Sequence, residues 1–116
     1  MEDNWIEIGR ITDIPRQGAR TVGRKNGPDI GVFRTLDDRI FALENRCPHK
    51  HGPLSQGIVH GNAVACPLHN WRISLETGQA LGEDKGCTPV IPVKIVGDII
   101  HINLPKADAA GAKAAA

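Results

Sequence analysis

Short apolar runs, each broken by glycine, proline or paired polar residues, fill most of this chain. Near the start, "NWIEIGRI" sets Trp5, Ile6, Ile8 and Ile11 among polar neighbours in an imperfect alternation, which predicts a strand. "DIGVFRTL" and "RIFALEN" are two apolar runs parted by Asp37-Asp38, the pattern of a hairpin. Asn26-Gly27-Pro28 in "RKNGPD" predicts a tight turn. The stretch "VIPVKIVGDIIHINL" predicts two strands around Gly97-Asp98, with Pro92 at an edge or a bulge. No segment keeps a helical period long enough to predict a helix. The pattern therefore predicts an all-β fold, a small antiparallel sandwich or barrel.

Between these flanks the texture changes. "IVHGNAVA" and "ISLETGQAL" carry small hairpin signals, with turns at His60-Gly61-Asn62 and Glu76-Thr77-Gly78. This predicts a compact insert over about residues 46–82, carried on a single domain of residues 1–105. The remaining "KADAAGAKAAA", residues 106–116, is low in complexity and interrupted by Gly111, so a disordered tail is expected.

Composition narrows the possibilities. A length of 116 residues suits one domain with a modest core, which bracing by a metal would help. With no Tyr, two Phe and two Trp, that core must come from Ile, Val, Leu and Ala. A formal charge of +1 gives no support for binding nucleic acid or an anionic membrane. No apolar run reaches bilayer length, and "MEDNWIEIGR" lacks the apolar core of a secretory leader. A cytoplasmic location is expected, where thiols stay reduced. Cys47, Cys66 and Cys87 cannot complete a disulfide framework, so thiolate chemistry or metal ligation better explains at least two of them.

The candidate chemistry lies in two short segments, "CPHKHGPLSQG" from Cys47 and "CPLHNW" from Cys66. Cys47 and His49 stand two apart; Cys66 and His69 stand three apart. Thiolate and imidazole together suit zinc, or iron in a mixed-ligand cluster. Structural zinc sites usually begin with two ligands from one C-x2-4-C knuckle, whereas each pair here mixes one Cys with one His. That symmetry suits a centre with two metal ions. A buried structural cysteine would explain Cys66 alone, but not four ligand-type residues in matched loops. A Cys/His hydrolase would need an elbow, an oxyanion donor and an orienting third residue, and no motif supplies them. His51 is expected to be a solvated or partner-facing loop residue. His60 and His101 are expected to be structural or surface residues, and Cys87, outside the two-pair spacing, an ordinary thiol.

The spacing C-x-H, sixteen residues, C-x2-H resembles the Rieske iron–sulfur motif, and the likeness extends from about Trp5 to Leu104. It implies a Rieske-type β sandwich or barrel with a small inserted cluster-binding subdomain. It also implies a [2Fe–2S] cluster with Cys47 and Cys66 on one iron and His49 and His69 on the other. High-potential members place a serine and a tyrosine where this chain has Trp71 and Ile73, and a bridging disulfide where it has Gly52 and Leu68. The resemblance thus implies a centre near the bottom of the Rieske range of roughly −150 to +300 mV. No catalytic residue and no nucleotide fingerprint is visible, so the implied role is electron relay.

The text "GPLSQGIV", "CPLHNW", "LETGQALG" and "GCTPVIPVKI" is further similar to the small subunit of assimilatory NAD(P)H-dependent nitrite reductase. That likeness implies a large partner subunit holding FAD, a [4Fe–4S] cluster and sirohaem, and part in the reduction of nitrite to ammonium. The alternative is the Rieske ferredoxin component of a ring-hydroxylating dioxygenase system, with the same fold and ligands.

Overall fold

The computed structural model describes residues 5–23, 29–46, 53–66, 71–81, 86–104 and 113–114. Their regular structure is β throughout, apart from two 3₁₀ turns, Ile11–Asp13 and Leu54–Gln56. One sheet has the order β1-β10-β9, from Trp5–Arg10, Ile99–Asn103 and Val93–Val96. A second has the order β11-β2-β3-β4-β8, from Lys113–Ala114, Gly18–Gly23, Ile30–Arg34, Ile40–Glu44 and Val90–Ile91. The third, β5-β6-β7, holds Ile58–His60, Ala63–Ala65 and Arg72–Ser74. All the strand pairs are antiparallel.

The five-stranded sheet is the middle layer, and its side-chain alternation explains the stacking. Ile30, Val32 and Ala42 point into one apolar cluster with Ile8, Ile100 and Ile102 of the first sheet. Phe33 and Leu43, one residue out of phase, point into another with Val59, Val64 and Ile73 of the third sheet. A strand covered on both faces reads as a continuous apolar run. This is why "IGVF" in β3 shows no polar alternation. The result is a sandwich of three sheets; none of them closes into a barrel, so the barrel half of the expectation is corrected.

The predicted hairpins form. Phe33 faces Phe41 across the Asp37-Asp38 turn, and Ile100 faces Ile95 across Gly97-Asp98. Asp38 takes a left-handed φ of 66°, a conformation that short polar side chains tolerate. Its carboxylate accepts from Arg16 Nε at 2.9 Å and Arg34 Nη2 at 2.7 Å. Arg34 in turn donates to the Ile14 carbonyl at 2.7 Å, fastening the first connection to this turn. Pro92 does lie at sheet edges, between β8 and β9, each an edge strand of its sheet. It separates β8, which pairs with β4, from β9, which pairs with β10, and so marks where the chain changes sheets. Strand β2 was not foreshadowed, because "GARTVG" buries only Val22 fully.

The Asn26-Gly27-Pro28 turn lies outside the described residues. So does most of the tail for which disorder was expected; Lys113 and Ala114 pair with Gly23 and Val22. Among the described residues no helix is long and apolar enough to cross a membrane.

Candidate metal centre

The third sheet is the insert that the sequence foreshadows. Its first hairpin turns at Gly61-Asn62 and pairs Val59 with Val64 and Ile58 with Ala65. Gly57 enters this hairpin so tightly that a Cβ there would lie 2.0 Å from the Ala65 carbonyl oxygen. The next turn brings Ser74 N–H to the Gln79 carbonyl at 2.9 Å, with Gly78 at a φ of +76°. At the turn end of the insert, Asn62 donates to Glu76 at 2.9 Å, and Arg39 from the β3–β4 turn contacts both. The insert is thereby pinned to the middle sheet by polar contacts at one end and by the apolar cluster along its face.

Of the four proposed ligands, Cys66 is described; Cys47, His49 and His69 lie outside the described residues, as does His51. Cys66 follows β6, is 1% exposed, and sits as a free thiol among Leu54, Val64, Ile73 and Leu75. Its backbone N–H donates to the Trp71 carbonyl at 2.7 Å, closing the base of the segment that carries His69. Half-buried Trp71 packs against the same apolar cluster.

The segment that carries Cys47 and His49 is closed in a comparable way. Asn45 donates its N–H to the Asp29 carbonyl at 2.7 Å and accepts, through its side-chain oxygen, the N–H of Ser55 at 2.7 Å. Leu54, next in line, is fully buried beside Cys66 in the apolar cluster. Sequence reasoning missed Asn45 and Ser55. The available signal was an Asn at a strand end and a Ser after a turn, both residues that bond local backbone.

These features fit an iron–sulfur centre. A buried soft donor, Cys66, sits in a dry apolar setting, and both flanking segments are clamped at their bases. One buried polar atom also lacks a described partner here, Ser55 Oγ. Among the described residues no group of three or more His, Cys, Asp or Glu converges, since three of the proposed ligands fall outside them. Cys87 is exposed and bridges to Gln79; His60 lies at the turn end of β5, away from Cys66; His101 is half-buried in β10.

On the outer face of the insert, Ile58, Ala65 and Arg72 form one cross-strand row, directly before and after Cys66 and Trp71. Ile58 is 73% exposed. Their neighbours Val59, Val64 and Ile73 take the opposite, buried face.

Fold and site together define a small three-sheet β protein whose inserted sheet leads into a buried thiol, Cys66. The chain belongs to the Rieske [2Fe–2S] domain family, whose model matches residues 4–92. It is a Rieske-type ferredoxin, an electron carrier that holds a [2Fe–2S] cluster. It is 36% identical over 102 residues to the ferredoxin component of the naphthalene 1,2-dioxygenase/salicylate 5-hydroxylase systems of a Ralstonia species, covering 82% of this chain and 90% of that one. It is 33% identical over 108 residues to the anthranilate 1,2-dioxygenase ferredoxin subunit of Burkholderia cepacia, covering 86% and 92%. A candidate NADH-dependent nitrite reductase small subunit from Mycobacterium tuberculosis superposes with a TM-score of 0.80 at 20% identity, covering 90% of this chain and 98% of that one.

These relationships overturn the expected partner, a sirohaem- and FAD-bearing nitrite reductase subunit. The two ferredoxin relatives above, each more than 30% identical over nine-tenths of its length, belong by name to dioxygenase systems, whereas the nitrite-type neighbour shares the fold at 20% identity. Two glycines in the text that suggested nitrite reduction have a structural explanation. "GPLSQG" and "LETGQALG" contain Gly57 and Gly78, where a Cβ would meet the Ala65 or Thr88 carbonyl oxygen at 2.0 Å. Glycine at these two positions serves the fold.

Proposed function

We propose that this chain is the ferredoxin component of a ring-hydroxylating oxygenase system, carrying single electrons from a reductase to a terminal oxygenase. The observation that carries this reading is the 36% identity to such a ferredoxin over 90% of its length. The cluster, when bound, supplies a one-electron store at a potential that two neutral imidazole ligands raise above that of an all-cysteine site.

Cys47 and Cys66 hold one iron, and His49 and His69 hold the other. Cys66 contributes its thiolate from a site that excludes water. The Asn45–Ser55 and Cys66–Trp71 bonds hold the two ligand segments in place, which limits the rearrangement that accompanies each electron. Ile58, Ala65 and Arg72 offer the partner an apolar surface with the positive charge of Arg72 at its side. The domain runs over residues 1–105, with the insert at 46–82 as its cluster-binding part.

The test is reconstitution. Holo protein, a ferredoxin reductase and the oxygenase component of naphthalene 1,2-dioxygenase are combined with naphthalene and NADH. Substrate-dependent oxygen uptake that requires this protein is the expected result. Dithionite-reduced holo protein that passes no electron to this oxygenase, or to that of anthranilate 1,2-dioxygenase, would overturn the assignment.

A further inference from the structure

An uncovered strand edge offers its backbone N–H and C=O groups to any other strand, and folded proteins guard such edges with bulges, prolines, lysines or a covering segment. Among the described residues, the other sheet edges each carry a guard of this kind. Strand β1 has a register shift between Glu7 and Gly9. Strand β8 is two residues long and lies between Pro89 and Pro92. Strand β9 carries Lys94, whose Nζ sits 4.5 Å from the centre of the Trp5 ring. In the insert, Gln17 Nε2 donates to the Val59 carbonyl of β5 at 3.3 Å. Beyond β7, the Leu81 N–H donates to the Arg72 carbonyl at 2.8 Å.

Strand β2 lacks these devices. It runs six residues, Gly18–Gly23, with no proline and no shift in its register with β3. Its single charge, Arg20, is engaged by Asp13 at 3.6 Å. Its other edge is covered by β11, which pairs Lys113 with Gly23 and Ala114 with Val22 and also passes close to β1. A two-residue strand holds weakly, so it opens more readily than a core strand. We propose that β11 is the guard of this edge, and that when it unpairs β2 takes up the β2 strand of a second copy of this chain. A twofold axis makes that pairing antiparallel, the sense in which β11 already lies. Gly18, Ala19 and Gly23 present small side chains or none, which lets two such strands approach closely. With Arg20 held by Asp13, the approach brings little charge repulsion.

The test compares full-length holo protein as wild type, as Lys113→Pro with Ala114→Pro, and as a control, Ala109→Pro with Ala110→Pro, outside β11. The first pair of prolines removes both N–H groups of β11. Mass is read by light scattering over rising concentration, and amide exchange of the Gly18–Gly23 peptide by mass spectrometry. Wild type and control should stay monomeric. The β11 variant, while monomeric at low concentration, should exchange this peptide about tenfold faster than the wild type. At high concentration it should approach twice the monomer mass and regain the protection of Gly18–Gly23. A β11 variant that stays monomeric would overturn the proposal, as would a dimer that leaves Gly18–Gly23 unprotected. A wild type that dimerises as readily as the variant would also overturn it. If the double variant loses its visible spectrum, Lys113→Pro alone and Ala114→Pro alone go through the same measurements, with the same results expected and the same results overturning the proposal.

Discussion

Ser55 N–H and Asn45 Oδ1 meet at 2.7 Å, and between these two residues lies the whole segment that carries Cys47 and His49. One side-chain amide thus holds the start and the finish of a ligand loop together. Asn45→Ala would leave the Ser55 N–H without its acceptor, a loss of about 1–3 kcal/mol in a partly buried setting. The protein should still fold, since Asn45 lies outside both apolar clusters. Cluster retention should suffer: iron content after gel filtration is expected to drop, and loss of visible absorbance on warming to begin at lower temperature. Asn45→Asp keeps the acceptor and should retain most of the cluster.

Cys66 and Cys87 separate cleanly. Cys66 is buried at the end of β6 with its N–H tied to Trp71, whereas Cys87 is exposed on a bridge to Gln79. Cys66→Ser should abolish the visible spectrum and the EPR signal of the reduced protein. Cys87→Ser should leave both unchanged. A wild-type spectrum after Cys66→Ser would remove it from the ligand set.

Gly57 tests how far the shared motif text serves the fold. Its Cβ position lies 2.0 Å from a backbone oxygen of the facing strand, and backbone cannot swing aside as a side chain can. Gly57→Ala should therefore push β5 away from β6 and destabilise the protein by roughly 1–3 kcal/mol or more. Gly61→Ala, at a turn with open space around it, lacks that clash. It should cost less, through its φ of +59° alone. Urea midpoints of the two variants would reveal the order.

Much of this architecture was legible in the sequence, and the rest was hidden for identifiable reasons. Asp37-Asp38, Gly97-Asp98 and Gly61-Asn62 announce their hairpins because the turn chemistry is local. Strand β2 escapes because it is held by pairing with β3 and contributes little apolar pattern. Pro92 as the switch between sheets needs knowledge of which strands pair with which. The Asn45–Ser55 clamp joins residues ten apart through a side chain, a relation that periodicity does not encode. The ligand pairs announce a cluster, but the surrounding text pointed to a partner other than that of the relatives above 30% identity.

Asp38 gives the framework a dependence on pH. Hydrogen bonds from Arg16 and then Arg34 hold its carboxyl down to about 2, against an ordinary value near 4. A carboxylate with a lowered folded pKa stabilises the native state fully above the unfolded value, and this contribution fades as pH falls through 4 towards 2. Asp38→Asn keeps the shape and tolerates the left-handed turn, but it cannot be charged. The urea midpoint of this variant should lie below that of the wild type at pH 7. The gap should narrow as the titration is repeated between pH 4 and pH 2.5.

Arg72 offers the sharpest test of where the partner docks. It is exposed, directly follows Trp71, and shares an outward row with Ala65 and Ile58 on the face opposite the buried Val64 and Ile73. An exposed cation beside an apolar patch steers an acidic partner surface and adds little to the stability of this chain. Arg72→Glu should keep the wild-type spectrum and potential. Its second-order rate of electron delivery to the oxygenase should fall severalfold at low ionic strength, and the difference should shrink as salt is raised. Ile58→Ser should slow delivery with no such salt dependence, because it removes apolar contact and no charge. Stopped-flow traces at two salt concentrations separate the two effects. Equal rates for all three proteins would place the docking surface elsewhere on the molecule.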